Sequence, residues 1–194
     1  KGKGTVQGDS HAATFGMSVT AQDFWIKDYF TGDFTTDLSY KTGHLKFKDI
    51  DGLLRTTKYL GVFDINLADS KIVGDIESPY IELSDIQRAL QKVAPLPVEL
   101  YGGGTAQVNF SGPLDFSLLS YKLNSKILNG NIATESFDEL TFDVTSQNGH
   151  VTADRAILKK SGGTLTLSGH AKPNGQIQTE WIGKNFTLQS INSF

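Results

Sequence analysis

The chain has no cysteine, one methionine and five prolines in 194 residues. Without cysteine there are no disulfides, no thiolate metal sites and no thiol nucleophile. No apolar run approaches the roughly 20 residues that a membrane-spanning helix needs, and no signal-like apolar segment follows Lys1. Lysine and arginine number 18 against 21 aspartates and glutamates, a formal net charge of -3. No polybasic run occurs, which argues against nucleic acid as the main partner. Strand-like alternation begins by Gly4 with no initiator methionine. The chain therefore reads as a piece of a longer protein whose targeting or anchoring segment lies elsewhere.

Catalytic patterns are equally scarce. His11, His44, His150 and His170 show neither His-x-His nor His-x-x-x-His spacing, so a zinc site would need long-range convergence. Gly8-Asp9-Ser10 has the look of a nucleophile block, but no partner histidine motif accompanies it; it reads as a strand end with a turn. Asp49-x-Asp51-Gly52 starts like a calcium loop, lacks the later ligands, and reads as a hairpin turn. Gly102-Gly103-Gly104 runs into a β-pattern instead of a helix, so close strand packing or a bulge is expected in place of a phosphate loop. The expectation is a protein that is not an enzyme and carries no cofactor and no metal.

What is abundant is period-two alternation, with 20 glycines and 12 phenylalanines. Phe15, Met17, Val19 and Ala21 share a face, as do Phe63, Ile65 and Leu67. In the second half Leu140, Phe142 and Val144 alternate with Thr141 and Asp143. Leu165 and Leu167, Ile177 and Trp181, and Phe186 and Leu188 do the same, and Phe110 and Phe116 lie in similar runs. One apolar and one wettable face is the mark of antiparallel sheet with one side in water. Turn signals stand at Asp51-Gly52, Asn129-Gly130, Asn148-Gly149, Gly162-Gly163 and Pro173-Asn174-Gly175. They divide the chain into roughly a dozen strands or more.

One segment departs from this pattern. Ile86, Ala89, Leu90 and Val93 recur at helical spacing, with Ser84 as the expected N-cap, Gln87 completing a capping box and Pro95 and Pro97 as the stop. A helix over about 84–94 is too short to stand alone and must dock, covering an edge or end of the sheet.

The chain also repeats itself. Gly4-Thr5-Val6-Gln7 matches Gly104-Thr105-Ala106-Gln107, Gly43-His44-Leu45 matches Gly149-His150-Val151, and Ile81–Ile86 matches Phe186–Ile191. A first repeat over about 1–83, a helix and seam over about 84–97 and a second repeat over about 98–194 would make one continuous domain, 1–194. Alternation alone leaves two architectures open. The apolar stripe is either the dry core of a closed β-sandwich, which periodicity by itself favours, or the lining of a bent, open groove. The first would suit an interaction or adhesion module that binds protein or glycan through its loops.

The run Tyr101–Leu114, with Gly163–Gly169 followed by Gly175-Gln176-Ile177 and the closing segment Pro79–Ile86, resembles the repeat units of the TamB and wider AsmA-like family. The resemblance covers most of the chain and implies an all-β, mostly antiparallel sheet curved into a taco-like apolar groove, built from two divergent repeats with one short helix. It further implies a periplasmic protein, anchored in the inner membrane through a segment outside this sequence, that passively carries phospholipid acyl chains between inner and outer membranes. An outer-membrane β-barrel assembly protein is the expected partner, through regions outside this sequence. The residues expected to line the groove are the inward set named above: Phe15, Met17, Val19, Phe63, Ile65, Leu67, Phe110, Phe116, Leu140, Phe142, Val144, Leu165, Leu167, Ile177, Trp181, Phe186 and Leu188.

Overall fold

The computed structural model describes residues 2–7, 14–26, 29–91, 98–115 and 118–186. The first six strands are β1 (Gly2–Gln7), β2 (Thr14–Ile26), β3 (Tyr29–Lys41), β4 (His44–Leu54), β5 (Thr57–Asn66) and β6 (Lys71–Glu82). A helix, α1 (Leu83–Leu90), separates them from β7 (Leu100–Pro113), β8 (Ser120–Ile132), β9 (Glu135–Gln147), β10 (His150–Lys160), β11 (Gly163–Ala171) and β12 (Ile177–Lys184). All twelve strands form one antiparallel sheet in sequence order, so each pairs with the next along the chain. The sheet is open, with β1 and β12 at its two ends, and among the described residues no second sheet packs on it to make a sandwich. At about 4.8 Å per strand, it runs on the order of 50 Å from end to end.

A sequential meander places alternate connections on opposite rims. One rim carries Thr42-Gly43, 67–70 and Asn148-Gly149; the other carries Arg55-Thr56, α1, Ala133-Thr134 and Ser161-Gly162. The two Gly-His turns of the sequence repeat fall at equivalent places, between β3 and β4 and between β9 and β10. They share a backbone as well: φ is 50° and 81° at Thr42-Gly43, and 51° and 76° at Asn148-Gly149. Two successive positive φ values are what a tight hairpin of this hand requires. Six strands thus answer six strands, with α1 at the seam.

Two expected turns prove to be something else. Asp51-Gly52 lies inside β4 and Asn129-Gly130 inside β8. Both sit beside backbone irregularities: Asp49 (φ 51°), next to a register shift between Phe47 and Ile50, and Asn129 (φ 49°). Further shifts occur in β2, β3, β5, β6, β7 and β10, and the one at β7 is centred on Gly102, as the three-glycine run suggested. Bulges bend and twist the strands that carry them, so signals read as chain reversal served curvature here.

The helix also starts differently. β6 continues until Ile81 and Glu82 pair with Gly104 and Gly103, which makes Glu82, not Ser84, the N-cap. Its carboxylate accepts from Gly102 N at 3.0 Å. Gln87 is drawn out of the expected capping box to bridge the chain beyond the helix, donating to Val98 O at 2.6 Å and accepting from Leu100 N at 3.0 Å. Of the expected 84–94 helix, residues 92–97 with Pro95 and Pro97 lie outside the described residues.

Candidate functional site

Strand register shows which side chains share a face. One row crosses the whole sheet: Gly4, Met17, Leu38, Phe47, Phe63, Gly74, Phe110, Tyr121, Ser146, Val151, Ala171 and Ile177 are successive Cα partners. A parallel row holds Gly61, Ile76, Val108, Leu123, Val144, Ala153, Gly169 and Thr179. A third holds Ser78, Ala106, Ser125, Phe142, Ala156, Leu167 and Trp181, and a fourth Ile81, Gly104, Ile127, Leu140, Leu158, Leu165 and Gly183. No charged residue falls in these rows. A further row joins Val6, Phe15, Tyr40, Leu45, Ile65 and Ile72.

The expected lining residues Phe15, Met17, Val19, Phe63, Ile65, Phe110, Leu140, Phe142, Val144, Leu165, Leu167, Ile177 and Trp181 therefore share one face. Leu67 does not belong with them. The Asn66 side chain accepts from Ala68 N at 2.9 Å and closes β5, which leaves Leu67 in the connection, 50% exposed. Phe186 follows the end of β12, where Asn185 takes a φ of 51°. Its Cβ lies 3.7 Å from the place a Gly183 side chain would begin, at the end of the fourth row. Phe116 and Leu188 lie outside the described residues.

Several members of this face were not anticipated, among them Leu38, Tyr40, Leu45, Val108, Tyr121, Leu123 and Leu158. Their strands mix serine, tyrosine and lysine into the alternation. Reflecting β2 through its hairpin would have found Leu38 and Tyr40, the partners of Met17 and Phe15. Aromatic pairs knit the rows together, with Phe47 stacked on Phe63 at 4.2 Å between ring centroids and Phe15 on Tyr40 at 5.5 Å. Gly74 makes room in the first row, since a Cβ there would stand 2.5 Å from the Phe110 ring. Gly52 does the same for Tyr59, whose hydroxyl reaches over it to donate to Thr31 O at 2.9 Å. Burial, with Asp33 nearby, pushes that hydroxyl up to about 12.

The face is not a sealed core. Among the described residues the buried hydrophobics are Ile50, Leu54, Leu119, Ile127 and Phe137. Phe15, Met17, Phe63, Phe110, Leu140, Phe142, Val144, Leu165 and Leu167 are only half-buried. The chain exposes 12443 Å², against roughly 9,000 Å² for a compact monomer of this mass. Apolar surface that a sandwich would hide stays open here.

The helix rim is the exception. Asp85, 4% exposed, accepts from Thr56 N (2.9 Å), Thr56 Oγ1 (2.7 Å) and Thr57 N (3.1 Å), which pins α1 to the β4–β5 hairpin. Partial burial works to raise its carboxyl, and these hydrogen bonds from Thr56 and Thr57 outweigh it, so the group is held below its ordinary value. The helix also touches β3, β6 and β7.

The opposite face is mostly polar, with Leu53, Val62, Val73, Leu128 and Ile182 exposed among its polar residues. Glu139 is gripped by Lys126 at 2.8 Å and Lys159 at 2.7 Å from the two neighbouring strands, and their hydrogen bonds draw its carboxyl down to about 2. Asn109 bonds Asp75, and Asn124 bonds Asp143, across adjacent strands. At Asp64, partial burial raises the carboxyl but the bonds from His44 and Lys46 prevail and lower it. A concavity of about 1050 Å³ opens on this face along Val62, Asp75, Asn109, Lys122, Thr145 and Thr152. A twisted sheet is saddle-shaped and so can be hollow on both sides. That hollow is edged by Asp64, Asp75, Lys122 and His150 and by Phe63, Phe110 and Tyr121, whereas on the apolar face one uncharged row runs over all twelve strands. In comparisons with protein-family models, curated proteins and solved structures, the chain matches none.

Proposed function

We propose that this chain is a segment of a TamB/AsmA-like bridge, carrying phospholipid acyl chains passively along its apolar face between the inner and outer membranes of a diderm bacterium. In this reading it resides in the periplasm, anchored in the inner membrane through a segment outside this sequence. It serves outer-membrane assembly or homeostasis, with an outer-membrane β-barrel assembly protein as partner of other regions. The observation that carries the proposal is the uncharged row that crosses all twelve strands of the open sheet, with three more uncharged rows beside it from β5 or β6 to β12. A half-exposed apolar strip against a polar reverse face suits a cargo with an apolar tail and a wet head group.

The energetics are of the right size. Each methylene taken from water contributes roughly 0.8 kcal/mol, so ten acyl carbons would contribute about 8 kcal/mol before ordering costs. No row offers a fixed charge to grip a head group, so tails are held and heads are left in water. The same absence of fixed charge lets a chain slide from row to row.

Native mass spectrometry of the purified chain tests the reading directly. Copurified phospholipid is the expected result, and protein that stays lipid-free when mixed with phospholipid micelles would sink the proposal. Val144→Asp and Leu167→Asp sharpen it. Each places a charge in a half-exposed row, so each should leave a folded sheet by circular dichroism that no longer takes up lipid.

A further inference from the structure

The internal repeat sets one Gly-His hairpin beside its twin. Gly16, Ser39, Lys46 and Asp64 are successive partners in the first unit, and Lys122, Thr145, Thr152 and His170 are their counterparts in the second. One step nearer the turn, Lys41 faces His44 in the first and Gln147 faces His150 in the second. The same hairpin therefore forms with or without Lys41 and Lys46, so strand pairing does not account for those two lysines.

In the first unit these residues enclose space on the mostly polar face. Two hollows, of about 300 Å³ and about 410 Å³, share Ser39, Lys41 and Lys46; His44 borders the smaller, and Gly16 and Lys48 the larger. Gly16 leaves the floor bare, since a Cβ there would have Leu38 O as its nearest neighbour, at 3.9 Å, whereas the second unit carries Lys122 at this place. Elsewhere on this face lysines meet carboxylates: Lys58 meets Asp51, and Lys126 and Lys159 meet Glu139. Here Lys46 and His44 share Asp64, and neither Lys41 nor Lys48 has a carboxylate within ion-pair reach among the described residues. Asp37, opposite Lys48, accepts from Ser18 Oγ at 2.7 Å. Ser39 is half-buried, and its hydroxyl makes no hydrogen bond among the described residues.

Ammonium groups set round a hollow with too few carboxylates repel one another, and an anion among them relieves that repulsion. We propose that this hollow binds a phosphate group, held by Lys41, Lys46 and Lys48 with Ser39 donating from the floor. Each lysine brings a compact charge with three donors, and a phosphate presents oxygens in several directions at once, which suits donors arriving from both β3 and β4. A lipid head group and free phosphate share this chemistry. The three lysines are exposed, so binding is weak and falls as salt rises. The hollow lies on the face turned away from the apolar rows, and the inference stands whether or not acyl chains travel along them.

Amide shifts followed by nuclear magnetic resonance at low salt test the site. Inorganic phosphate should move the signals of residues 39–48. Lys41→Gln with Lys46→Thr, which copies the second unit, should weaken that binding several-fold and leave the chain folded by circular dichroism. Lys48→Gln alone should weaken it in the same direction. Lys58→Gln removes a lysine from the same face outside the hollow and should leave affinity unchanged. Vesicles of phosphatidylcholine with phosphatidylglycerol separate the two sources. Vesicle binding that the double variant loses several-fold assigns a lipid head group, and phosphate binding without it assigns free phosphate; either upholds the site. No movement of these signals with phosphate or vesicles, or an equal loss in the Lys58 variant, overturns the proposal.

Discussion

The two halves of the apolar face are made of similar residues and do different things. Toward the helix rim Ile50 and Leu54 are buried and Ile127 is wholly inaccessible. Toward the other rim Phe15, Phe63, Phe110 and Val144 are half-open to solvent. Composition does not separate the halves; cover does. α1 and close strand approaches such as Gly104, where a Cβ would stand 1.9 Å from Lys126 O, dry one side. Nothing among the described residues packs over the other. The comparison teaches that an open sheet can concentrate its stability in one strip and leave an equally apolar strip open to solvent.

Substitution can break this comparison. The largest effect is expected at Ile127→Ala, which empties a wholly buried site and should cost about 2–5 kcal/mol of unfolding free energy. Phe110→Ala in the open half should cost clearly less in the same urea titration. Equal losses would mean that the two halves are energetically alike.

Next comes the pin of the helix. Asp85→Asn leaves buried donors at Thr56 and Thr57 without their carboxylate and should cost about 1–3 kcal/mol at neutral pH. Because the native carboxyl is held below its ordinary value, its contribution is fully present above the unfolded value near 4. It drains away as pH falls below that toward the lowered native value. The wild type should therefore lose more stability on acidification through that window than the asparagine variant does. Parallel acid profiles for the two proteins would argue against the pin.

The smallest effect is expected on the polar face. Glu139 stays ionised down to about pH 2 between its two lysines, but an exposed ion pair is screened by water and salt. Glu139→Gln should unfold with the wild type in urea, and any difference should vanish at high salt. A large loss would show that the polar ladder carries stability here assigned to the helix rim.

Much of this architecture is legible in the sequence, because a one-sided sheet must alternate. Phe15, Met17 and Val19, or Leu140, Phe142 and Val144, could face only one way together. The duplicated Gly-His turns announced equivalent hairpins. What the sequence hid were places where one residue pair serves two structures. Asp-Gly and Asn-Gly suit tight turns, but the same left-handed preference suits a bulge, which is how segments 49–52 and 129–130 are used. Glu82 became a cap because strand pairing carried β6 two residues further than helical periodicity suggested. Leu67 obeyed the alternation and still fell outside, since the Asn66 turn ended the strand first. Openness was not legible at all: alternation records which side is apolar, not whether anything lies on it.

The strand order has one more consequence. Among the described residues every strand bonds only to its predecessor and successor in the chain, so no strand pairing waits for a distant segment to arrive. Rates of folding rise as contacts become more local. A sheet of this kind can grow hairpin by hairpin as the polypeptide emerges, each new strand finding its template already laid. A long-range tie stands near the seam at α1, where Asp85 reaches back nearly thirty residues to accept from the Thr56–Thr57 turn. The seam is therefore where growth of the sheet meets its longest detour, since β7 pairs with β6 only across the helix and the residues that follow it.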